Sequence, residues 1–277
     1  MVEIAFRKMH GCGNDFVVLD ARTRAFDLTP RQVERIADRH KGVGFDQLVL
    51  IEQSAAADVR LRFLNSDGSE AEACGNATRC AARLLFEETG RGEVLIETAG
   101  GLLPARRLRD GLIAVEMAPP RLTWAEIPLA EPCDTLAVPL GEPGLPPAVA
   151  VSMGNPHAVF FVADIEAIDA AALGARLERH PMFPDRANIG FAQLLGRDAI
   201  RLRVFERGAG LTLACGSGAC AALVAAVRRG LVEREARLIL DGGMLRCSWA
   251  GTGPVTMIGP ASLAYGGTLA PELLEDG

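Results

Sequence analysis

Two short stretches hold the residues best suited to chemistry: Ala73-Cys74-Gly75-Asn76 and Ala214-Cys215-Gly216-Ser217. Each opens a run of small and apolar residues at helical spacing, so each cysteine is expected at a helix start. There the unpaired backbone N–H groups and the positive end of the helix dipole favour a thiolate. The same N–H groups, at Gly75-Asn76 and Gly216-Ser217, can hold a carboxylate, and glycine lets a ligand come close to the backbone. Two thiols flanking the carbon beside that carboxylate would form a base and an acid on opposite faces. Inverting a stereocentre by proton exchange requires such a pair, and the two protonation states are then coupled.

The cysteines lie 141 residues apart, and other polar residues recur at the same offset: Asn14 and Asn155, Gln47 and Asn188, Asn65 and Glu206. The segments leading into the cysteines also share Leu61/Leu202, Arg62/Arg203, Ala73/Ala214 and Gly75/Gly216. The chain therefore reads as two copies of one domain, a division that suits its 277 residues. The first copy is placed at residues 1–120 and the second at 148–261, with a proline-rich connector and its edge strands at 121–147. The tail, 262–277, is a candidate to return to the first copy.

The elements that must position these residues follow from period and punctuation. Strands are expected at Val2–Phe6 and Phe16–Asp20 around a loop from Met9 to Asp15, then at Gln47–Glu52 and Val59–Asn65. Thr29-Pro30 starts a helix, with Thr29 and Gln32 at capping-box spacing and Val33, Ile36 and Ala37 on one face. A second helix runs from Cys74 to Gly90, followed by strands at Glu93–Thr98 and Leu112–Met117. The second copy repeats this plan. It has strands at Val149–Ser152, Ala158–Val162, Asn188–Leu194 and Ile200–Phe205, and helices at Ala171–His180 and Gly218–Arg229. Closing strands flank Asp241-Gly242-Gly243 and end at Pro254–Ile258. The fold class is α+β: two pseudo-symmetric domains, each a mainly antiparallel sheet wrapped around a central helix, with the active site expected in the cleft between them.

Bulk properties narrow the partners. Hydrophobic residues make up 49% and charged residues 23%, enough apolar material for two cores. A net charge of −6 and a pI near 5.4 argue against nucleic acid or an anionic membrane, which leaves a small-molecule substrate. The first residues lack the pattern of a secretory signal and no apolar run reaches the length of a membrane span, so a cytoplasmic protein is expected. Seven cysteines without framework spacing suggest thiols in a reducing compartment. Four scattered histidines and no C-x-x-C give no metal site. Pyridoxal phosphate would need a Schiff-base lysine. Only Lys8 and Lys41 are present, both outside the repeated polar set, so a route without a cofactor is expected.

The motifs MHGCGNDF (9–16), GFDQL (44–48), NSDGSEAEACGNATRC (65–80), SMGNPHAVF (152–160), RANIGFAQ (186–193), ERGAG (206–210) and ACGSGAC (214–220) span most of the chain. In this combination the sequence resembles the diaminopimelate epimerases, cofactor-independent two-cysteine enzymes related to proline racemases. The resemblance implies Cys74 and Cys215 as the acid/base pair, with Gly75, Asn76, Gly216 and Ser217 around the reacting carboxylate. Asn14, Gln47, Asn65, Asn155, Asn188, Glu206 and Arg207 would bind the remaining polar groups, Arg207 gripping the distal carboxylate. His157 and Glu206 would tune the thiols. Ser217 stands where a threonine is common and keeps its hydroxyl. The resemblance also implies a homodimer and conversion of LL- to meso-diaminopimelate.

Two other readings use the same residues. A proline-type racemase or dehydratase would share the fold but has no distal group for Arg207 to hold. A thiol redox or sensor protein would join Cys74 to Cys215, yet it needs neither carboxylate cradles nor repeated asparagines.

Overall fold

The computed structural model describes residues 3–71 and 74–275. Val2 and Ala73 lie outside the described residues. The chain divides into two compact units, Met1–Val115 with Gly259–Gly277, and Glu116–Ile258. It is α+β, mostly sheet with four α-helices among the described residues.

The first unit contains β1 (Ile4–Gly11), β2 (Asn14–Asp20), α1 (Pro30–Ala37), β3 (Gln47–Glu52), β4 (Val59–Asn65), β5 (Glu70–Ala71), α2 (Gly75–Thr89), β6 (Glu93–Thr98), β7 (Gly101–Arg107) and the start of β8 (Ile113–Met117), whose last two residues are counted with the second unit. The expected loop at 9–15 is instead a tight hairpin: β1 stays paired with β2 as far as Gly11 opposite Asn14. Cys12 and Gly13 make the two-residue turn with φ of 54° and 84°. Positive φ at both central positions is the type I′ requirement, and its twist matches that of the flanking strands. Asn14 thereby becomes the first residue of β2. Gly11 is needed for a different reason, because a Cβ there would lie 3.0 Å from Arg79 Nη2 and 3.3 Å from Asn76 Cβ. Its absence lets the hairpin press onto the first turn of α2.

Helix α1 forms as its sequence dictates, with both bonds of the Thr29–Gln32 capping box present and Val33, Ile36 and Ala37 buried. They join Phe6, Val17, Leu19, Leu48 and Leu50 in one core cluster. Helix α2 packs against β1, β2, β6 and β7 and ends at Gly90 in the left-handed conformation.

The second unit contains β9 (Val149–Ser152), β10 (Pro156–Phe161), α3 (Ala170–Leu177), β11 (Asn188–Leu194), β12 (Ala199–Glu206), β13 (Gly210–Thr212), α4 (Gly216–Arg228), β14 (Glu235–Leu240), β15 (Gly243–Trp249) and β16 (Val255–Gly259). Helix α4 is buried around most of its circumference, and its alanines let β9, β10, β11, β12, β14 and β15 approach closely. Gly174 of α3 would put a Cβ 2.3 Å from Phe205 Cβ, so only glycine lets that helix sit on β12. Residues 121–147 belong to this unit. Ile127, Leu129, Val138 and Leu140 enter its core, while Arg121 and Val138 make isolated bridges to Ser152 and Ala148.

The duplication extends to strand register. Phe16 faces Gln47 in the parallel pair β2/β3, and His157 faces Asn188 in β10/β11. Leu48 faces Leu64 in β3/β4, and Ile189 faces Phe205 in β11/β12. All four equivalences keep the 141-residue offset. Finally β17 (Ser262–Leu269) runs antiparallel to β1, Leu269 opposite Ile4, as part of the first unit.

Candidate active site

In the first unit Cys74 is the N-cap of α2, half-buried and with extended backbone. Gly75 and Asn76 form the first helical turn, so their N–H groups are among those the helix itself leaves unpaired. Asn14, at the turn end of β2, brings its Oδ1 to 3.9 Å from Cys74 Sγ and accepts a bond of 3.1 Å from Asn76 Nδ2. Its own Nδ2 donates to Asp46 Oδ2 at 2.8 Å. Gln47 and Asn65 face each other at the ends of β3 and β4, Gln47 Nε2 donating to Asn65 Oδ1 at 2.9 Å. Two groups therefore form here: Asn14, Cys74 and Asn76, and separately Gln47 with Asn65.

In the second unit Cys215 is the N-cap of α4. Gly218 N donates to its sulfur at 3.3 Å and Ser217 Oγ lies 3.5 Å away. Gly216, like Gly75, opens its helix and is buried. The expectation of an easily ionised thiol is corrected here, because Cys215 is pushed well above the ordinary thiol value. Burial is the main cause and the Glu206 carboxylate the next, outweighing the Ser217 hydroxyl and Gly218 N–H, which pull the other way. Glu206 is itself held by the Thr212 hydroxyl.

Asn188 organises the loop after β12. Its Nδ2 donates to the Pro156 carbonyl at 3.1 Å and its Oδ1 accepts from the Arg207 backbone N–H at 2.9 Å. The buried Glu178 takes the next N–H, of Gly208, at 2.9 Å. The exposed Arg207 keeps its guanidinium near the Asp185 carbonyl, 2.8 Å from Nη1. His157 is fully enclosed on β10, its Nε2 3.0 Å from Asn155 Oδ1.

Burial, with a smaller contribution from the Arg207 charge, lowers the pKa of His157 from 6.5 to about 3, so the ring is neutral. The unfolded chain takes up this proton below about pH 6.5, whereas the folded protein refuses it down to about pH 3. Stability should therefore fall as pH drops through that window, by up to about 1.4 kcal/mol per pH unit. His157→Gln should flatten the urea-unfolding free energy between those limits. An unchanged pH dependence would mean that His157 is not the group responsible.

Several residues around the cysteines carry no signal in the repeat. Asp46, Arg79 and Thr212 correspond at the 141-residue offset to Ala187, Cys220 and Ala71, and Glu178 lies in a segment without a matching motif. Gly218 had a readable position, the third residue of the helix. A Cβ there would meet Val204 Cγ2 at 2.8 Å, which ties glycine to the sulfur-facing N–H.

Comparison with known proteins places this geometry. The diaminopimelate epimerase family pattern matches residues 6–123 and 149–264. The diaminopimelate epimerase of Rhodospirillum centenum is 57% identical over 271 residues, 97% of this chain and 93% of that protein. That of Acidiphilium cryptum is 55% identical over 269 residues, 97% of each. Among solved structures, a hydroxyproline epimerase from Agrobacterium vitis aligns with a TM-score of 0.71 at 18% identity, covering 99% of this chain and 94% of that one. A probable proline racemase from Agrobacterium radiobacter K84 gives 0.70 at 19%, covering 96% and 93%. The two solved structures establish a shared fold, and the near full-length identity to the first two relatives goes further: this chain belongs to the diaminopimelate epimerase family.

Proposed function

We propose that this protein interconverts LL- and meso-2,6-diaminopimelate by moving the α-proton through Cys74 and Cys215, without pyridoxal phosphate. The observation that carries the reading is the pair of equivalent cysteines, each the N-cap of a buried helix, in a chain so similar to diaminopimelate epimerases. One cysteine, as thiolate, removes the α-proton and becomes a thiol. The electron pair left behind spreads onto the carboxylate, where the helix-start N–H groups at Gly75-Asn76 and Gly216-Ser217 receive the developing charge. The other cysteine, as thiol, delivers a proton to the opposite face and becomes the thiolate. Atoms and charge balance, and the two sulfurs exchange protonation states in each turnover.

The raised Cys215 thiol favours that residue as the proton donor at the start of a cycle. Asn14, Gln47, Asn65, Asn155 and Asn188 supply neutral hydrogen bonds to the substrate's amino and carboxylate groups, and Arg207 grips the distal carboxylate. Glu206 and His157 act on the second half of the site, Glu206 through the Cys215 thiol and His157 through Asn155. Lysine chemistry is disfavoured, because Lys8 donates to the Asp15 carboxylate and the Gly44 carbonyl. Thiol acid/base work fits a reducing, cytoplasmic setting. Exposed Leu263 and Tyr265 on β17 support a homodimer.

The test is incubation with LL-diaminopimelate and, separately, L-proline, with reductant and no added cofactor, followed by chiral chromatography. Formation of meso-diaminopimelate with proline untouched is the expected result. Racemisation of proline would overturn the substrate assignment.

A further inference from the structure

An asparagine amide has nearly the same shape at both ends, so its partners decide which end is oxygen. In the first unit three bonds run in series. Arg79 Nη2 donates to Asn76 Oδ1 at 2.7 Å, Asn76 Nδ2 to Asn14 Oδ1 at 3.1 Å, and Asn14 Nδ2 to Asp46 Oδ2 at 2.8 Å. A guanidinium can only donate and an ionised carboxylate can only accept. With a donor-only group at one end and an acceptor-only group at the other, a single orientation of the two amides satisfies all three bonds. Turning either asparagine over sets N–H against N–H or O against O.

Both ends are anchored. Arg79 is completely buried, with Nε donating to the Pro260 carbonyl at 3.2 Å. Asp46 accepts from Arg39 Nη2 at 2.8 Å and from the Asp15 backbone N–H at 3.1 Å. Arg39 also grips the Asp15 carboxylate with both Nη atoms, at 3.0 and 2.8 Å. Burial raises the pKa of Asp15, but the bonds from Arg39 and Lys8 more than offset this and keep it ionised.

We propose that Asp46 and Arg79 are positioning residues that fix the polarity of the Asn14–Asn76 pair, so that Cys74 faces an amide oxygen rather than an N–H. The inference rests on the two-thiol reading of Cys74. An oxygen 3.9 Å from the sulfur favours S–H, whereas an N–H there would favour the thiolate. The same oxygen is the acceptor that an incoming ammonium group needs. The second unit has no counterpart, since Ala187 and Cys220 stand at the equivalent positions. Cys215 is instead faced by Gly218 N–H and influenced by Glu206. The duplicated thiols are thus controlled by different devices.

The test is Asp46→Ala, at a partly exposed position. Asp46 Oδ2 takes both Asn14 Nδ2 and the Asp15 backbone N–H, so its removal releases the Asn14 amide at that end and lets it turn an N–H toward the sulfur. Alkylation by iodoacetamide, followed residue by residue by peptide mass spectrometry across a pH series, should show Cys74 reacting about tenfold faster near neutral pH. Its profile should shift to lower pH while that of Cys215 stays in place. Turnover should fall and KM should rise, because the same turn removes the acceptor for the ammonium group, and Asp46→Glu should return these properties and the Cys74 profile toward wild type. Asn14→Asp, which keeps an oxygen at the sulfur, should slow Cys74 alkylation. An unmoved Cys74 profile in either folded Asp46→Ala or folded Asn14→Asp would overturn the proposal. Alkylation needs no substrate, so failure of the wild-type protein to epimerise diaminopimelate would sink the functional reading separately.

Discussion

Cys74→Ala and Cys215→Ala are each expected to leave a folded protein whose epimerisation rate has dropped by about a thousandfold or more. A positioned acid or base contributes about 10²–10⁴ in rate, and here the surviving thiol has no partner on the opposite face. The structural cost should be small and unequal. The Cys74 side chain makes no capping bond to α2, so alanine there removes little from the helix. Cys215 Sγ accepts from Gly218 N, and losing that cap should cost about 1 kcal/mol. Circular dichroism and thermal melts check the fold, and a coupled meso-diaminopimelate assay checks turnover. Substantial epimerisation by either variant would sink the two-thiol mechanism.

Arg207→Met carries the next largest effect, a fall in kcat/KM for diaminopimelate of about 10–100-fold, expressed mainly in KM. The loop beneath Arg207 is fixed by Asn188 at one N–H and Glu178 at the next, so the guanidinium is presented from a rigid base. A bidentate bond to a second carboxylate is charge-assisted and geometrically demanding. Arg207→Lys keeps the charge but loses the fork, and should recover only part of the affinity. Arg207 also helps lower the pKa of His157, so the methionine variant should resist acid somewhat better than wild type. Unchanged KM in Arg207→Met would remove the distal-carboxylate role.

Much of the fold was legible because its elements announce themselves locally. β3, β4, β6, β9 and β11 alternate or run apolar between clear breaks, and their expected bounds match those observed. The capping box of α1 was readable from Thr29 and Gln32. Four strands were not: β5 and β13 are only two and three residues long, β7 contains Gly101 and Pro104, and β17 carries two glycines and an exposed face, so none has a clean period. Burial of Ile127, Leu129, Val138 and Leu140 was equally hidden, because prolines set the backbone of 121–147 and no regular spacing marks its apolar residues.

The candidate site divides in the same way. Cys74, Cys215 and the repeated amides stood out because duplication preserved their spacing. The sign of the Cys215 shift did not, since a helix start contributes only about 0.3–1 kcal/mol to an exposed charge whereas full burial is worth several times more. Burial comes from strands far away in sequence. Asp46, Arg79 and Glu178 were invisible for a related reason: they act through other residues, and only tertiary packing brings them there.

Proton exchange at one α-carbon through two thiols leaves an isotopic record in a single turnover of LL-diaminopimelate in D₂O, with product isotopes read by NMR. The expected result is meso product in which the inverted α-carbon carries solvent deuterium and the other keeps its hydrogen. Inverted product that retains its original hydrogen at that carbon would contradict delivery by a second, solvent-exchanged thiol.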